Sequence, residues 1–184
     1  MDARTALENT NTIMNSVISQ LTSDHRHMST PCTEWDVHQV IDHVCQGSHG
    51  IAGALQGQAP PENADEIDLL AKGPANGWAE AYNALSAAAT PDILSATHQL
   101  PFGEMPGEAA MSVIVADALV HAWDVASGAG VDIDISDELA EWGLATWKMV
   151  VPAEGRQGGF GPVVPVADDA SALDRLLGYT GRQP

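Results

Sequence analysis

Positive charge is the scarcest component of this chain of 184 residues. Lys and Arg total 7 against 25 Asp and Glu, a formal net charge of −18. A surface of that sign repels phosphate backbones and anionic lipid, so nucleic acid and membranes are excluded as expected partners. The acidity itself fits solubility or salty surroundings. Cysteine is nearly as rare. Cys32 and Cys45 are the two in the sequence, too few for a disulfide framework and too far apart for a CxxC redox pair. Reduced thiols in a cytoplasmic protein are the expectation. No apolar run approaches the roughly 18 residues of a membrane span, and Met1–Thr5 lacks the basic and apolar regions of a signal peptide. With 45% hydrophobic residues the chain has the material for one domain with a sizeable core, expected to span residues 1–184.

Apolar residues at helical spacing predict a first helix over 4–22, through Ala6, Met14, Val17, Ile18 and Leu21. Thr33-Glu-Trp-Asp36 reads as an N-cap with acidic first-turn residues, opening a helix that runs to about 55. Residues 57–77, rich in Pro, Gly, Asn and Asp, read as loop, and Ala75–Ala89 as a third helix. Two prolines and two glycines in 93–108 predict a short hairpin or an irregular excursion. The fourth helix is expected over 108–127, stopped by Gly128 and Gly130. Ser136 caps a fifth, to about Val151, and 152–165 is extended. A last short helix over 168–177 starts from Asp168 or Asp169. The fold class is therefore mainly α, a four-helix bundle with a short hairpin or irregular insertion and a short C-terminal helix.

Chemistry concentrates in the fourth helix. Asp117 and His121 interrupt the apolar run Met111–Ala126. Residues four apart lie on one face of a helix, and a carboxylate among apolar neighbours needs a partner. His43, beside the Val40–Val44 stripe of the second helix, is the candidate third group. Two imidazoles and one carboxylate leave a coordination position open, which is the catalytic pattern, whereas structural zinc sites are closed by four protein ligands. The competing reading is that His121 is a satisfied core histidine and Asp117 its hydrogen-bond partner. Asp124, three residues beyond His121, either accepts a hydrogen bond from a ligand histidine or bonds a helix terminus or an indole. Trp35 and Trp123 read as core anchors. Cys32 reads as a small buried residue in a tight loop, with a second option of acidity gained from the helix N-terminus. His38 reads as solvent-facing, and His49 as a residue near a pocket mouth.

Three stretches carry a resemblance. Thr30-Pro-Cys-Thr-Glu-Trp-Asp-Val-His-Gln-Val-Ile-Asp-His43 is similar to the "TPCxxWxVxxLxxH" opening of the mycothiol-dependent maleylpyruvate isomerase N-terminal domain family, which belongs to the DinB-like metal-binding bundles. Asp117-Ala-Leu-Val-His121-Ala-Trp-Asp124 resembles that family's "(D/E)xxxHxWD" segment. Phe160-Gly-Pro and Asp169-Ala-Ser-Ala-Leu-Asp-Arg-Leu-Leu-Gly-Tyr-Thr-Gly-Arg182 are similar to the end of its small single-domain members.

The resemblance implies a metal site at His43, Asp117 and His121, with zinc first and nickel or iron as alternatives, and mycothiol or another low-molecular-weight thiol as a cofactor. In the isomerase the carboxylate is a Glu, so Asp117 is a departure with a shorter reach. The isomerase also carries a second domain for which this sequence has no counterpart, so its substrate chemistry does not transfer. Lys72 and Arg156, both in expected loops, are the candidates for a basic group at the pocket. The functional expectation is a metal-dependent transferase or isomerase working through a bound thiol on a small-molecule substrate. A non-enzymatic metal- or small-molecule-binding bundle and a hydrolase using metal-activated water are the alternatives. A homodimer is left open.

Overall fold

The structure is a computed structural model that describes residues 1–62, 67–100, 103–154, 156 and 160–184. Four long helices make the bundle: α1 (Ala3–Ser19), α2 (Val37–Leu55), α3 (Pro74–Ala88) and α5 (Gly107–Ala129). Their packing is cyclic. α1 touches α3 and α5, and α2 touches α3 and α5, so each helix has two bundle neighbours. A short helix, α4 (Pro91–Ser95), and an antiparallel hairpin of β1 (Thr97–Leu100) and β2 (Gly103–Pro106) join α3 to α5. Beyond the bundle, α6 (Asp137–Val150) packs on α5, and α7 (Ala172–Tyr179) packs on α6. This is a mainly α, DinB-like fold with a short hairpin, as the sequence predicts. Residues 101–102 of the expected hairpin or irregular excursion, 63–66 of the expected loop, and 155 and 157–159 of the expected extended segment lie outside the described residues.

Why α2 starts where it does matters for the site. The cap is Asp36, not Thr33. Asp36 Oδ1 accepts the Gln39 N–H at 2.9 Å, and Gln39 Oε1 accepts the Asp36 N–H at 3.0 Å, a reciprocal capping box. Thr33 stays in the loop ahead of it. That loop is shaped by buried Thr30, whose Oγ1 donates to the Trp35 carbonyl at 2.8 Å and accepts the Cys32 N–H at 3.1 Å. The curl turns Cys32 and Trp35 toward the interior.

α5 is buried along almost its whole length, from Gly107 to Ala129. It is long and apolar enough to cross a membrane by length and composition alone, which corrects the expectation that no segment approaches that size. In this fold 78% of its most apolar stretch is covered by other elements, as befits a central core helix. Gly128 does not stop it. The helix runs through to Gly130, whose φ of +65° closes the C-terminus in the left-handed conformation. Gly128 serves another purpose: a Cβ there would lie 2.8 Å from the Ser29 carbonyl oxygen, so the loop crosses α5 where the side chain is missing. Similarly α7 begins at Ala172, with Ser171 Oγ accepting the Asp174 N–H at 3.0 Å, and Asp168 and Asp169 fall in the turn before it.

Candidate metal centre

α2 and α5 face each other across the bundle, and their contact brings His43 beside Asp117 and His121. His43 Nε2 lies 3.5 Å from Asp117 Oδ2, and His121 Nε2 lies 3.6 Å from Asp117 Oδ1. The ligand atoms of all three residues fall within 4.8 Å of one another. The His43 and His121 rings meet edge to face at 5.1 Å, and Trp35 stacks on His43 at 4.4 Å with a 35° tilt. Side-chain exposure grades from 39% at His43 through 24% at Asp117 to 6% at His121. The set opens on one side into a cavity of about 820 Å³, walled by Cys32, Trp35, Val120, Trp147, Phe160 and Arg182 among others.

The two separations, one to each Asp117 oxygen, are longer than close hydrogen bonds and leave room for an ion among the three residues. A charge-assisted N–H···O bond closes to about 2.7–2.9 Å. Atoms about 2.0–2.2 Å from a tetrahedral ion stand about 3.3–3.6 Å apart, the range that both Asp117 separations occupy.

The hydrogen bonds around His121 decide which of its nitrogens faces Asp117. Asp124 is fully buried, and its Oδ2 accepts the His121 Nδ1–H at 2.8 Å. With the hydrogen on Nδ1, the neutral ring turns a lone pair at Nε2 toward Asp117. Two electron-rich groups facing each other require a cation or a proton between them. Accordingly, burial disfavours a charged His121, but Asp117 and the Asp124 hydrogen bond outweigh it and raise its pKa above the ordinary value. Burial likewise opposes the Asp117 carboxylate, and His121 and His43 overcome it, leaving its pKa lowered. A divalent ion would take the place of that proton.

Asp124 thus plays the histidine-orienting part of its two expected roles. Its second partner is one that sequence reasoning missed. Arg182 donates from Nη2 to Asp124 Oδ2 at 2.7 Å and from Nε to Oδ1 at 3.2 Å, a two-point grip on the buried carboxylate. Burial raises the Asp124 carboxyl's pKa, while the hydrogen bonds from His121 and Arg182 bring it below the usual range. The signal available in the sequence was the closing Tyr-Thr-Gly-Arg182 of the tail.

The expected basic candidates go elsewhere. Lys72 pairs with Glu80 on an exposed face at 3.4 Å. Arg156 bonds the carbonyls of Pro152, Gly161 and Tyr179 and lies over the Tyr179 ring at 4.5 Å. Trp35 and Trp123 both pack against the core, as expected of core anchors, and Trp35 also stacks on His43 and walls the cavity. Cys32 is half-buried in the cavity wall, and its thiolate is disfavoured. Burial leads in raising its pKa, and Asp124 and Asp117 add to it against a smaller lowering by Arg182. His49 does not line this cavity. His38 is half-buried and bonded to Arg26 at 3.0 Å, not free in solvent.

Fold and site together define a DinB-like helical domain with a candidate His–Asp–His metal centre. The chain belongs to the mycothiol maleylpyruvate isomerase N-terminal domain family, whose profile matches residues 12–126. That span contains His43, Asp117, His121 and Asp124 but stops short of Arg182. An uncharacterised protein of Mycobacterium tuberculosis, found in strains CDC 1551 / Oshkosh and ATCC 25618 / H37Rv, is 30% identical over 179 residues. The match covers 91% of this chain and 90% of the relative. No solved structure matches the chain.

Proposed function

We propose that this protein binds one divalent ion, zinc by preference, through His43 Nε2, Asp117 and His121 Nε2, and uses the site to transfer or isomerise a small molecule with a low-molecular-weight thiol. The observation that carries the reading is the three-ligand set, spaced for one ion and open to a cavity of about 820 Å³. A cavity of that order suits a ligand well beyond the size of water, which favours a thiol and its reaction partner over simple hydrolysis. The family to which the chain belongs is mycothiol-related, which makes mycothiol the first thiol to try.

The chemistry such an ion supplies when bound is to hold a thiol as its thiolate near neutral pH, the nucleophilic form. The protein's own groups do the rest. His43, Asp117 and His121 set the position at which a thiol sulfur is received. Asp124 fixes the His121 ring so that Nε2 faces the cavity side. Trp35, Val120, Trp147 and Phe160 offer apolar surface to the remainder of the ligands and keep bulk water away.

The test is turnover. The zinc-loaded protein is incubated with mycothiol and a panel of small electrophiles, among them epoxides and cis activated alkenes, and both loss of free thiol (transfer) and conversion of the electrophile to its isomer (isomerisation) are followed. The expected result is zinc-dependent turnover, by either readout, that His121→Ala lowers to near the metal-free level because a ligand of the ion is lost. Equal turnover by both proteins, or neither thiol loss nor isomerisation by either across the panel, overturns the catalytic reading and leaves a binding bundle.

A further inference from the structure

Asp124 is completely buried, and a carboxylate there without full pairing is costly. Its two oxygens have two partners: His121, three residues before it on α5, and Arg182, 58 residues later in the chain. Arg182 is itself tied down on every side. Its side chain is 11% exposed. Its backbone N–H bonds the Leu177 carbonyl at 2.9 Å, and its Nη1 donates to the Thr180 carbonyl at 2.9 Å. The preceding Gly181 has φ +86°, and a Cβ there would lie 3.3 Å from Gly161 Cα and from the Pro162 carbonyl oxygen. Thr180 Oγ1 returns to the Leu176 and Leu177 carbonyls. The tail is therefore a fixed mount, and it delivers a rigid guanidinium fork to one buried acceptor.

We infer that Arg182 is a positioning residue of the metal centre: by gripping Asp124 from the C-terminal tail, it locks the His121 ring with Nε2 presented to the ion. The inference rests on the reading of His43, Asp117 and His121 as ligands. It places the tail after α7 inside the working unit, although the family's matched span ends near the middle of the last turns of α5. With Arg182 removed, the Asp124 carboxylate keeps His121 as its single hydrogen-bond partner and is free to rotate. The ring it orients then loses its fixed angle. Partners of this kind are worth about 10–100-fold in metal affinity.

Zinc affinity is measured by competition titration against a chromophoric chelator for the full chain and four variants: Arg182→Gln, Arg182→Lys, Asp124→Asn and the Asp124→Asn/Arg182→Gln double variant. Circular dichroism checks that each is folded. Arg182→Gln is expected to weaken zinc binding about tenfold or more, and Arg182→Lys, which keeps the charge but not the fork, by a smaller factor. The double variant is expected to bind no more weakly than Asp124→Asn alone, because Arg182 acts through Asp124. A merely structural arginine would lower stability without that non-additive pattern in affinity. Should Arg182→Gln fail to fold, the Arg182→Lys and Asp124→Asn arms still read the effect. Zinc bound equally by wild type and both Arg182 variants overturns this inference alone, as do additive losses in the double variant. No zinc bound by the wild-type chain overturns the metal reading and this inference with it.

Discussion

Asp36 holds the start of α2 with one carboxylate and two partners. Oδ1 takes the Gln39 N–H, and Oδ2 lies 2.8 Å from His27 Nδ1. Burial pushes the carboxyl's pKa up, but the His27 hydrogen bond and the Gln39 N–H win and leave it lowered. A depressed folded-state value means the stabilisation is fully present above the unfolded-state pKa of about 3.9 and is lost as pH falls through the folded value. Asp36→Ala is expected to cost about 1 kcal/mol in urea melts at pH 7. Asp36→Asn keeps a cap acceptor, so its deficit relative to wild type should shrink as the solution is acidified into that window. A deficit that grows on acidification would contradict the assignment.

The thiols give a second residue-scale check. Burial pushes Cys45 up to about 12 and raises Cys32 as well. Both should stay protonated at pH 7.5, with Cys32 reacting with Ellman's reagent more slowly than free cysteine and Cys45 reacting only on unfolding. Rapid reaction at Cys32 would show a cavity more electropositive than described. The residues of the centre were partly legible. His43, Asp117 and His121 announced themselves as polar interruptions of apolar stripes. Trp35 and Arg182 did not, because their roles depend on a curled loop and a tail whose course no local pattern encodes.

Among the elements, α5 and the loop over it decide the site. The loop of Ser29–Trp35 crosses α5 at Gly128, where a Cβ would also lie 2.9 Å from Thr30 Cγ2. Gly128→Ala should raise helix propensity yet destabilise the protein by about 1–3 kcal/mol, because the methyl group must push the loop off the helix. The same displacement moves Cys32 and Trp35, so zinc affinity should fall with it. Unchanged urea midpoints would sink this account of the crossing. Periodicity located α1, α2, α3, α5 and α6 to within a few residues, because each buries one apolar face or more. The boundaries that missed share a cause. Thr33, Asp168 and Gly128 each belong to a residue class that suits a cap or a breaker, and competition from Asp36, Ser171 and Gly130 is settled by loop packing. The five-residue α4 was too short to leave a periodic trace.

At the scale of the whole molecule, the bundle sets α2 against α5 and then recruits the tail after α7 to finish what α5 begins. The four-helix core was legible from composition and apolar spacing. Long-range closure from Asp124 to Arg182 was not, since two charges 58 residues apart carry no sign of their pairing. The central claim is that three side chains from two helices hold one ion. The most direct test is elemental analysis by mass spectrometry of protein loaded with zinc and then desalted, alongside folded His43→Ala, Asp117→Ala and His121→Ala variants. The account predicts one zinc per wild-type chain and near none in each variant. Wild-type protein that retains no zinc, or variants that retain as much as wild type, would contradict it.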